Sequence, residues 1–280
     1  MKKIEDIQEL KRMANQIRKD IVQMIGEAGS GHPGGSLSAV EVVTALYFNQ
    51  MRHDPARPDW PQRDRFILSK GHAAPVLYSA LIEAGYVSRD LLPTLRKLGS
   101  PFQGHPDMRM LPLVEASTGS LGNGLSIGLG YALAAKLNEE DWRVWVMLGD
   151  GESQEGQVWE AAMWAGYHKA DNICVIVDYN KQQLDNWVAK ILDLEPLEKK
   201  WRSFNWETIV IDGHDMQQVL DALQRSRQVK GKPTCIIANT VKGKGVSFME
   251  NNIEFHGMAP TPEQVRQALE ELEREAVTIG

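Results

Sequence analysis

Five short runs of almost entirely apolar residues constrain the fold of this chain more than any other feature. We predict them to be β-strands, and they cover residues 66–68, 144–148, 173–177, 208–211 and 234–238. Helical patterns separate most of them. Strands without polar alternation are buried on both faces, which is typical of a parallel sheet between two layers of helices. We therefore predict an α/β fold for residues 1–280, a single domain whose parallel sheet is flanked by helices on both faces.

Apolar residues at intervals of three and four predict the helices. The first helix runs from Asp6 to Ala28 and ends at Gly29, where the chain needs freer backbone angles. Ser36 is a good N-cap and predicts a second helix that continues to about Met51. The other predicted helices cover residues 74–84, 125–136, 157–169, 215–229 and 261–276.

Composition excludes several classes of protein. The chain of 280 residues is 42% hydrophobic and 24% charged, which is typical of a soluble globular protein of one or two domains. No apolar window reaches the roughly 18 residues of a membrane span, and the charged N-terminus lacks a signal-peptide pattern. A net charge of -6 argues against nucleic-acid binding. Cys174 and Cys235 lie in apolar runs and are interpreted as reduced core residues, so we expect a cytoplasmic protein.

Polar residues follow two of the predicted strands at the points where those strands end. Gly149-Asp150-Gly151 comes after one strand, and Asn180 follows the next, 30 positions beyond Asp150. One strand-helix-strand unit separates the two residues, so we expect them side by side at the carboxyl edge of the sheet. Their oxygens suit Mg²⁺ or Ca²⁺ with a diphosphate completing the shell. Gly-Asp-Gly alone is also compatible with a tight turn and a helix cap, but the asparagine at this spacing favours the metal site.

Four histidines occur in distinctive glycine-containing contexts. These are Ser30-Gly-His-Pro-Gly34, Ser69-Lys-Gly-His-Ala73, Gln103-Gly-His-Pro-Asp107 and Phe255-His-Gly257, with Thr118-Gly-Ser-Leu-Gly-Asn-Gly-Leu125 between them. In this order, and with the pair Asp150 and Asn180, they resemble the thiamine-diphosphate-binding (PP-type) domain of transketolases. The resemblance covers residues 17–260. By contrast, His214 in Asp212-Gly-His-Asp215 is interpreted as part of a turn and helix cap.

The resemblance implies a set of site residues. The catalytic histidines would be His32, His72, His105 and His256. The metal ligands would be Asp150, Asn180 and the backbone carbonyl of Gln182, and the cofactors thiamine diphosphate and Mg²⁺ (or Ca²⁺). The cofactor-binding residues would be His72, Gly119, Ser120, Leu121, Gly151, Glu155, Asn180, Lys242 and His256. Glu155 and Glu160 match acidic residues at the subunit interface of the family.

The resemblance also implies a partner. In transketolases, the glutamate that hydrogen-bonds the cofactor's pyrimidine lies in a second domain, which this sequence does not contain. We therefore expect a separately encoded C-terminal subunit in an α2β2 assembly, which would transfer a two-carbon ketol unit from a ketose phosphate to an aldose. Two alternatives remain open. The chain could be the α-type subunit of another two-chain thiamine enzyme, such as a 2-oxo-acid dehydrogenase, or a non-catalytic regulatory subunit.

Overall fold

A five-stranded, entirely parallel sheet forms the centre of the molecule, which a computed structural model describes over residues 3–279. The strand order is β1-β2-β3-β5-β4. The strands are β1 (Arg65–Leu68), β2 (Val144–Gly149), β3 (Ile173–Tyr179), β4 (Glu207–Asp212) and β5 (Thr234–Asn239). All five predicted strands are confirmed, each within two residues of the predicted bounds.

Ten α-helices are found in the described residues, and most of them match the apolar periodicity of the sequence. They are α1 (Ile7–Ala28), α2 (Pro33–Leu37), α3 (Val40–Ala45), α4 (Ala74–Glu83), α5 (Asn123–Leu137), α6 (Gly156–Tyr167), α7 (Val188–Ile191), α8 (Leu197–Ser203), α9 (Met216–Gln228) and α10 (Pro262–Ile279). Side-chain caps fix several boundaries: Asp6 accepts from the Gln8 N–H, and Asp215 accepts from the N–H groups of Gln217 and Gln218.

Helices cover both faces of the sheet, as the continuously apolar strands predict. On one face Trp145, Met147 and Ile176 pack in a single core with α1, α3, α4 and α9. On the other face Val146 and Val175 pack in a second core with residues of α5, α6 and α8. Cys174 and Cys235 are free thiols with no exposed surface, which confirms their interpretation as core residues.

The predicted second helix is wrong in its start and in its continuity. The first turn begins at Pro33, whose fixed φ suits the first position of a helix, rather than after Ser36. The chain then breaks at Ser38 and resumes as α3, and its last turn, Leu46–Gln50, is a π-helix. At the break, the buried Ser38 hydroxyl donates to the Asp178 carboxylate at 2.6 Å.

The sheet register positions the polar strand ends. β2 and β3 are adjacent and parallel, and Gly149 is paired with Asp178. Asp150 and Asn180 therefore leave the sheet at the same edge, as the spacing predicts. No helix among residues 3–279 is both long enough and apolar enough to cross a membrane.

Candidate active site

Asp150 lies directly after β2 with only 1% of its surface exposed. Its carboxylate accepts the N–H of Gly151 at 2.7 Å and the N–H of Lys181, but forms no ion pair with any described residue. Burial, reinforced by the Asp178 carboxylate, raises the pKa of Asp150 to about 7. Ligands bind at the carboxyl edge of a parallel sheet. A buried carboxylate at that edge with no ion-pair partner is suited to bind a cation.

The atoms around Asp150 fit a hard metal ion. No group of three or more His, Cys, Asp or Glu side chains in the described part of the chain could hold a metal, so a site here depends on amide and carbonyl oxygens. The Asn180 amide is oriented because its Nδ2 donates to Asp178 at 3.0 Å. The Gln182 carbonyl oxygen accepts a hydrogen bond from the Lys242 ammonium at 3.2 Å, so it already faces a positive charge. One carboxylate with two neutral oxygens is a donor set that suits Mg²⁺ when phosphate oxygens complete the shell.

The four histidines quoted from separate sequence motifs converge in one cluster. The ring centroid of His32 lies 5.3 Å from that of His72, 6.3 Å from that of His105 and 5.6 Å from that of His256. His72 and His256 are stacked with their centroids 5.3 Å apart. The cluster joins the start of α2, the turn after β1, the loop before α5 and the turn that ends at His256. The sequence prediction that these four side chains share a site is consistent with this placement.

The histidine cluster is neutral at physiological pH. Burial is the main cause, and it lowers the pKa of His32 to about 4 with help from the nearby Arg96 charge. Burial and Lys242 lower the pKa of His256 to about 3. The pKa values of His72 and His105 are lowered for the same principal reason. Neutral imidazoles can both accept and donate protons, which is the form required for acid–base work on hydroxyl groups.

Lys242 connects the histidine cluster with the strand ends. Its side chain is 2% exposed, and its Nζ lies 2.6 Å from His256 Nδ1 and within hydrogen-bonding distance of the Gln182 carbonyl. Burial lowers the pKa of Lys242 to about 8, although Asp150 opposes that shift. The sequence resemblance implies a cofactor contact for Lys242, and the side chain does lie between the histidine cluster and the segment after β3.

The glycine-rich loop before α5 closes the site against the histidines. Gly119 has a φ of 131°, and a Cβ at this position would lie 2.8 Å from His105 Cδ2. A Cβ on Gly71 would lie 2.7 Å from the Gly119 nitrogen, so the turn that carries His72 also packs on this loop. Ser120 and Leu121 follow with exposed side chains. Of these three predicted positions, Gly119 therefore lies against His105 and against the turn that carries His72.

Two further predicted residues lie at the margin of the site. Gly151 begins the short turn after Asp150, and a Cβ on it would come within 2.9 Å of Gln183 Cβ. Glu155 is the exposed N-cap residue of α6 and lies against Gly122 in the glycine-rich loop. Glu160, on the next turn of α6, is also exposed.

A fully buried ion pair supports the strand ends, and sequence reasoning missed it. Lys70 Nζ donates to the Asp178 carboxylate and, at 2.7 Å, to the Gly35 carbonyl. The two side chains are at most 2% exposed. Ser38 and Thr240 also donate to Asp178, so this carboxylate joins four segments of the chain. A charged residue inside the apolar run of β3 is the signal that could have identified it.

Glu152 is a second buried carboxylate that the sequence did not reveal. It is 3% exposed and accepts the Ser69 hydroxyl, the Gly122 N–H at 3.0 Å and the Gly149 N–H at 2.9 Å. These bonds tie the glycine-rich loop to the end of β2. Burial raises the pKa of Glu152, and its donors offset part of that effect. Because Glu152 lies in the turn after Asp150, this turn organises the glycine-rich loop as well as positioning the Asp150 carboxylate.

Arg96 is a third unpredicted member of the site. Its Nη2 lies 3.3 Å from His32 Nδ1, and among residues 3–279 it has no ion-pair partner. Arg96 has a positive φ of 59°, and a Cβ on Gly104 would lie 2.9 Å from its Nε, so this glycine makes room for the guanidinium.

His214 lies in the turn before α9, as the sequence predicts, and it also makes contacts that the sequence did not reveal. The cap of α9 is Asp215, whereas His214 bonds in two other directions, to Glu41 at 3.0 Å and to the Val241 N–H at 2.8 Å. Its imidazole is only 12% exposed. His214 is thus a largely buried turn residue that also connects Glu41 with the Val241 backbone.

Known proteins resemble this chain over nearly its whole length. The family model described as the thiamine diphosphate binding domain of transketolase matches residues 9–276. A 6-deoxy-6-sulfo-D-fructose transketolase subunit of Clostridium sp. (strain MSTE9) is 46% identical over 267 residues, which cover 95% of this chain and 97% of that relative. An apulose-4-phosphate transketolase subunit of Actinobacillus succinogenes is 44% identical, with coverage of 95% and 97%.

Longer transketolases match over part of their length. Mouse transketolase is 39% identical over 95% of this chain but only 42% of its own length. The crystal structure of Campylobacter jejuni transketolase superimposes with a TM-score of 0.90 at 31% identity, covering 98% of this chain and 46% of that one. This chain therefore spans less than half of those proteins, but nearly the whole of the two subunits named above.

Proposed function

This chain belongs to the transketolase family, and we propose that it is the thiamine diphosphate-binding subunit of a two-chain transketolase, with residues 1–280 forming a single domain. The observation that carries the proposal is the convergence of four neutral histidines on the strand ends that carry Asp150 and Asn180. The relatives named as subunits, matched over nearly their whole length, support the two-chain organisation.

The cofactor would be held chiefly by the carboxyl edge of β2 and β3. Thiamine diphosphate, when bound, supplies a carbon nucleophile for the carbonyl group of a ketose. Asp150, Asn180 and the Gln182 carbonyl would hold Mg²⁺, or Ca²⁺ in its place, against the diphosphate. The remaining proposed contacts are His72, Gly151, Lys242 and His256 at the diphosphate, and Gly119, Ser120, Leu121 and Glu155 on the side of the glycine-rich loop.

The histidines would handle the protons of the sugar. Ketol transfer breaks and forms a carbon–carbon bond next to hydroxyl groups, so those groups must lose and regain protons near neutral pH. We assign His32 and His105 to the sugar hydroxyls, because His105 is the exposed member of the cluster and the His32 ring lies 6.3 Å from it. His72 and His256 lie near the positive charges of Lys70 and Lys242, which favour an anionic group, and we assign them to the diphosphate.

The substrates would be a ketose phosphate, or another sugar with a terminal anion, and an aldose acceptor. The names of the two similar subunits specify a sulfonated and a phosphorylated sugar. Arg96 supports this substrate class from within the present chain, because its guanidinium lies beside His32 and has no ion-pair partner among the described residues. Guanidinium groups bind phosphate and sulfonate oxygens with a fork of donors.

Replacement of Arg96 by glutamine should raise the KM for the sugar about tenfold with little change in thiamine diphosphate affinity. A charge-assisted hydrogen bond is worth roughly 1.5–3 kcal/mol, which corresponds to at least a tenfold effect. The measurement is steady-state kinetics of the reconstituted pair. Lys97→Gln, at the exposed neighbouring position, is the matched control for loss of one positive charge. Equal changes in KM for both variants would contradict the role of Arg96.

The surface of the chain is consistent with assembly onto a second polypeptide. Large apolar side chains are exposed together on α5 and α6: Leu133 at 41%, Leu137 at 74%, Met163 at 57% and Tyr167 at 81%. Exposed patches of this kind mark association surfaces. We propose an α2β2 assembly with a separately encoded C-terminal transketolase subunit. The cytoplasm is the proposed compartment, since both cysteines are buried free thiols.

The reaction type is tested by offering the copurified complex two kinds of substrate. In the presence of Mg²⁺ and thiamine diphosphate, a panel of ketose phosphates with an aldose acceptor should give a shortened aldose and a lengthened ketose. The same complex should not decarboxylate 2-oxo acids. Carbon dioxide release from a 2-oxo acid, without ketol transfer, would assign the chain to the other class of two-chain thiamine enzyme.

A further inference from the structure

The loop that carries Lys242 is held on both sides of that lysine. The Val241 N–H donates to His214 Nε2 at 2.8 Å, and the Lys244 carbonyl accepts Arg18 Nε at 3.1 Å. Gly243 and Gly245 both have φ near 90°. Glycine adopts this conformation without strain, but it adopts many others equally well, so the glycines do not hold the loop in place. A loop with two glycines needs external contacts if its lysine is to keep one position.

One buried carboxylate organises the contacts on both sides. Glu41 is 8% exposed and accepts from Arg18 Nη2 through one oxygen and from His214 Nδ1 through the other, at 3.0 Å. Arg18 and His214 hold the pKa of Glu41 at about 2, although burial opposes that shift. The carboxylate is therefore ionised, and it links α1, α3 and the loop before α9 to the Lys242 loop.

The hydrogen bonds fix the tautomer of His214. A carboxylate only accepts, so Nδ1 must carry a proton, and a backbone N–H only donates, so Nε2 must be unprotonated. The bond from Nδ1 to the carboxylate orients the ring and leaves Nε2 as an acceptor. Through Nε2, His214 holds the backbone beside Lys242.

We propose that His214, oriented by Glu41, is a positioning residue that sets Lys242 against His256 and the Gln182 carbonyl. This inference rests on the proposed cofactor role of Lys242. The hydrogen bond from the Val241 N–H fixes the Thr240–Val241 peptide unit, one residue before the backbone of Lys242. The lysine Nζ makes contacts at 2.6 Å and 3.2 Å from a buried position, so a small rotation of that peptide unit displaces both contacts.

A thermodynamic double-mutant cycle tests whether His214 acts through Lys242. The affinity for thiamine diphosphate is measured by calorimetry at saturating Mg²⁺, with the full chain in complex with its partner subunit. The four proteins are wild type, His214→Ala, Lys242→Met and the double variant. We expect His214→Ala to weaken binding about tenfold, or 1.4 kcal/mol, in the wild-type background. In the Lys242→Met background, the same substitution should change binding less than twofold.

Two further variants keep the test informative if His214→Ala folds poorly. His214→Gln retains an oxygen that can accept the Val241 N–H, and we expect it to restore affinity to within about threefold of wild type. His53→Ala removes a buried histidine outside the site and is the control for a general loss of packing, with unchanged affinity. Ring ¹⁵N spectra of the full chain, which need no cofactor, should show His214 protonated at Nδ1 and unprotonated at Nε2.

The outcomes separate this inference from the proposed function. If the wild-type complex binds no thiamine diphosphate, the proposed function and this inference are both wrong. If it binds, but the tenfold loss is the same with and without Lys242, His214 has a structural role only and the positioning role is refuted. Unchanged affinity in a folded His214→Ala variant, or the opposite tautomer in the spectra, would refute it as well.

Discussion

Replacement of Asp150 by asparagine is expected to weaken Mg²⁺-dependent binding of thiamine diphosphate by more than about a hundredfold. Asp150 is the only carboxylate in the proposed donor set, and loss of even an outer partner of a metal ligand costs ten- to a hundredfold in affinity. The measurement is calorimetric titration of the reconstituted complex with thiamine diphosphate at several Mg²⁺ concentrations. Asp59→Asn, an exposed carboxylate in the loop before β1, is the control and should leave affinity unchanged.

The same variant should stabilise the chain without cofactor, which distinguishes a ligand-binding carboxylate from a structural one. Burial raises the pKa of Asp150 from 3.8 to about 7, so the wild-type fold loses stability as the pH rises from about 4 towards 7, and the loss is complete above 7. The asparagine variant does not titrate. Above pH 7 we expect the free energy of unfolding of the asparagine variant to exceed that of the wild type by roughly 1–3 kcal/mol. The wild type must bury a negative charge, whereas the variant only leaves one backbone N–H facing its amide nitrogen, which costs less. A destabilised variant at pH 8 would show that Asp150 is structural.

His105→Asn should lower kcat of the reconstituted enzyme by about 10² to 10³, with thiamine diphosphate affinity changed less than threefold. A positioned general acid or base contributes roughly 10²- to 10⁴-fold, and His105 is the most exposed member of the cluster. Asparagine retains polarity but cannot exchange a proton near neutral pH. The measurement is kcat by steady-state kinetics alongside the cofactor titration.

His168→Asn is the matched control, since His168 is exposed at the end of α6 and its ring lies against aromatic residues, at 4.0 Å from Trp164 and 4.9 Å from Tyr167. We expect wild-type kinetics for this variant. A large drop in cofactor affinity for His105→Asn, with kcat retained at saturation, would show that His105 contacts the cofactor and not the substrate. Equal losses in both histidine variants would contradict a specific catalytic role.

The positions of the strands and of the chemistry at their ends follow from sequence because both depend on local patterns. Continuous apolar runs specify strands buried on two faces, and the spacing of Asp150 and Asn180 spans one strand-helix-strand unit. The four histidines come from segments that lie far apart along the chain, so their proximity could not follow from spacing. It was implied only by the resemblance of their motifs to a known family.

The unpredicted features are contacts between distant segments. Lys70 and Asp178 pair across 108 positions, and His214 meets Glu41 across 173 positions. Such partners have no local signature, because a buried polar residue is recognisable only after its environment is known. The contact of Ser38, between α2 and α3, with Asp178 spans 140 positions and is equally invisible in the local sequence. Arg96 was missed because an exposed arginine in a loop resembles any other until His32 is seen beside it.

The most direct test of the two-chain account is reconstitution of ketol transfer from separately purified subunits. The rate from a ketose phosphate to an aldose is measured with Mg²⁺ and thiamine diphosphate for the chain alone, the partner alone and their mixture. We expect no turnover by either chain in isolation, and a rate that rises with added partner until the two chains are equimolar. Turnover by this chain alone at the rate of the mixture would contradict the account, as would an inactive complex that still binds thiamine diphosphate.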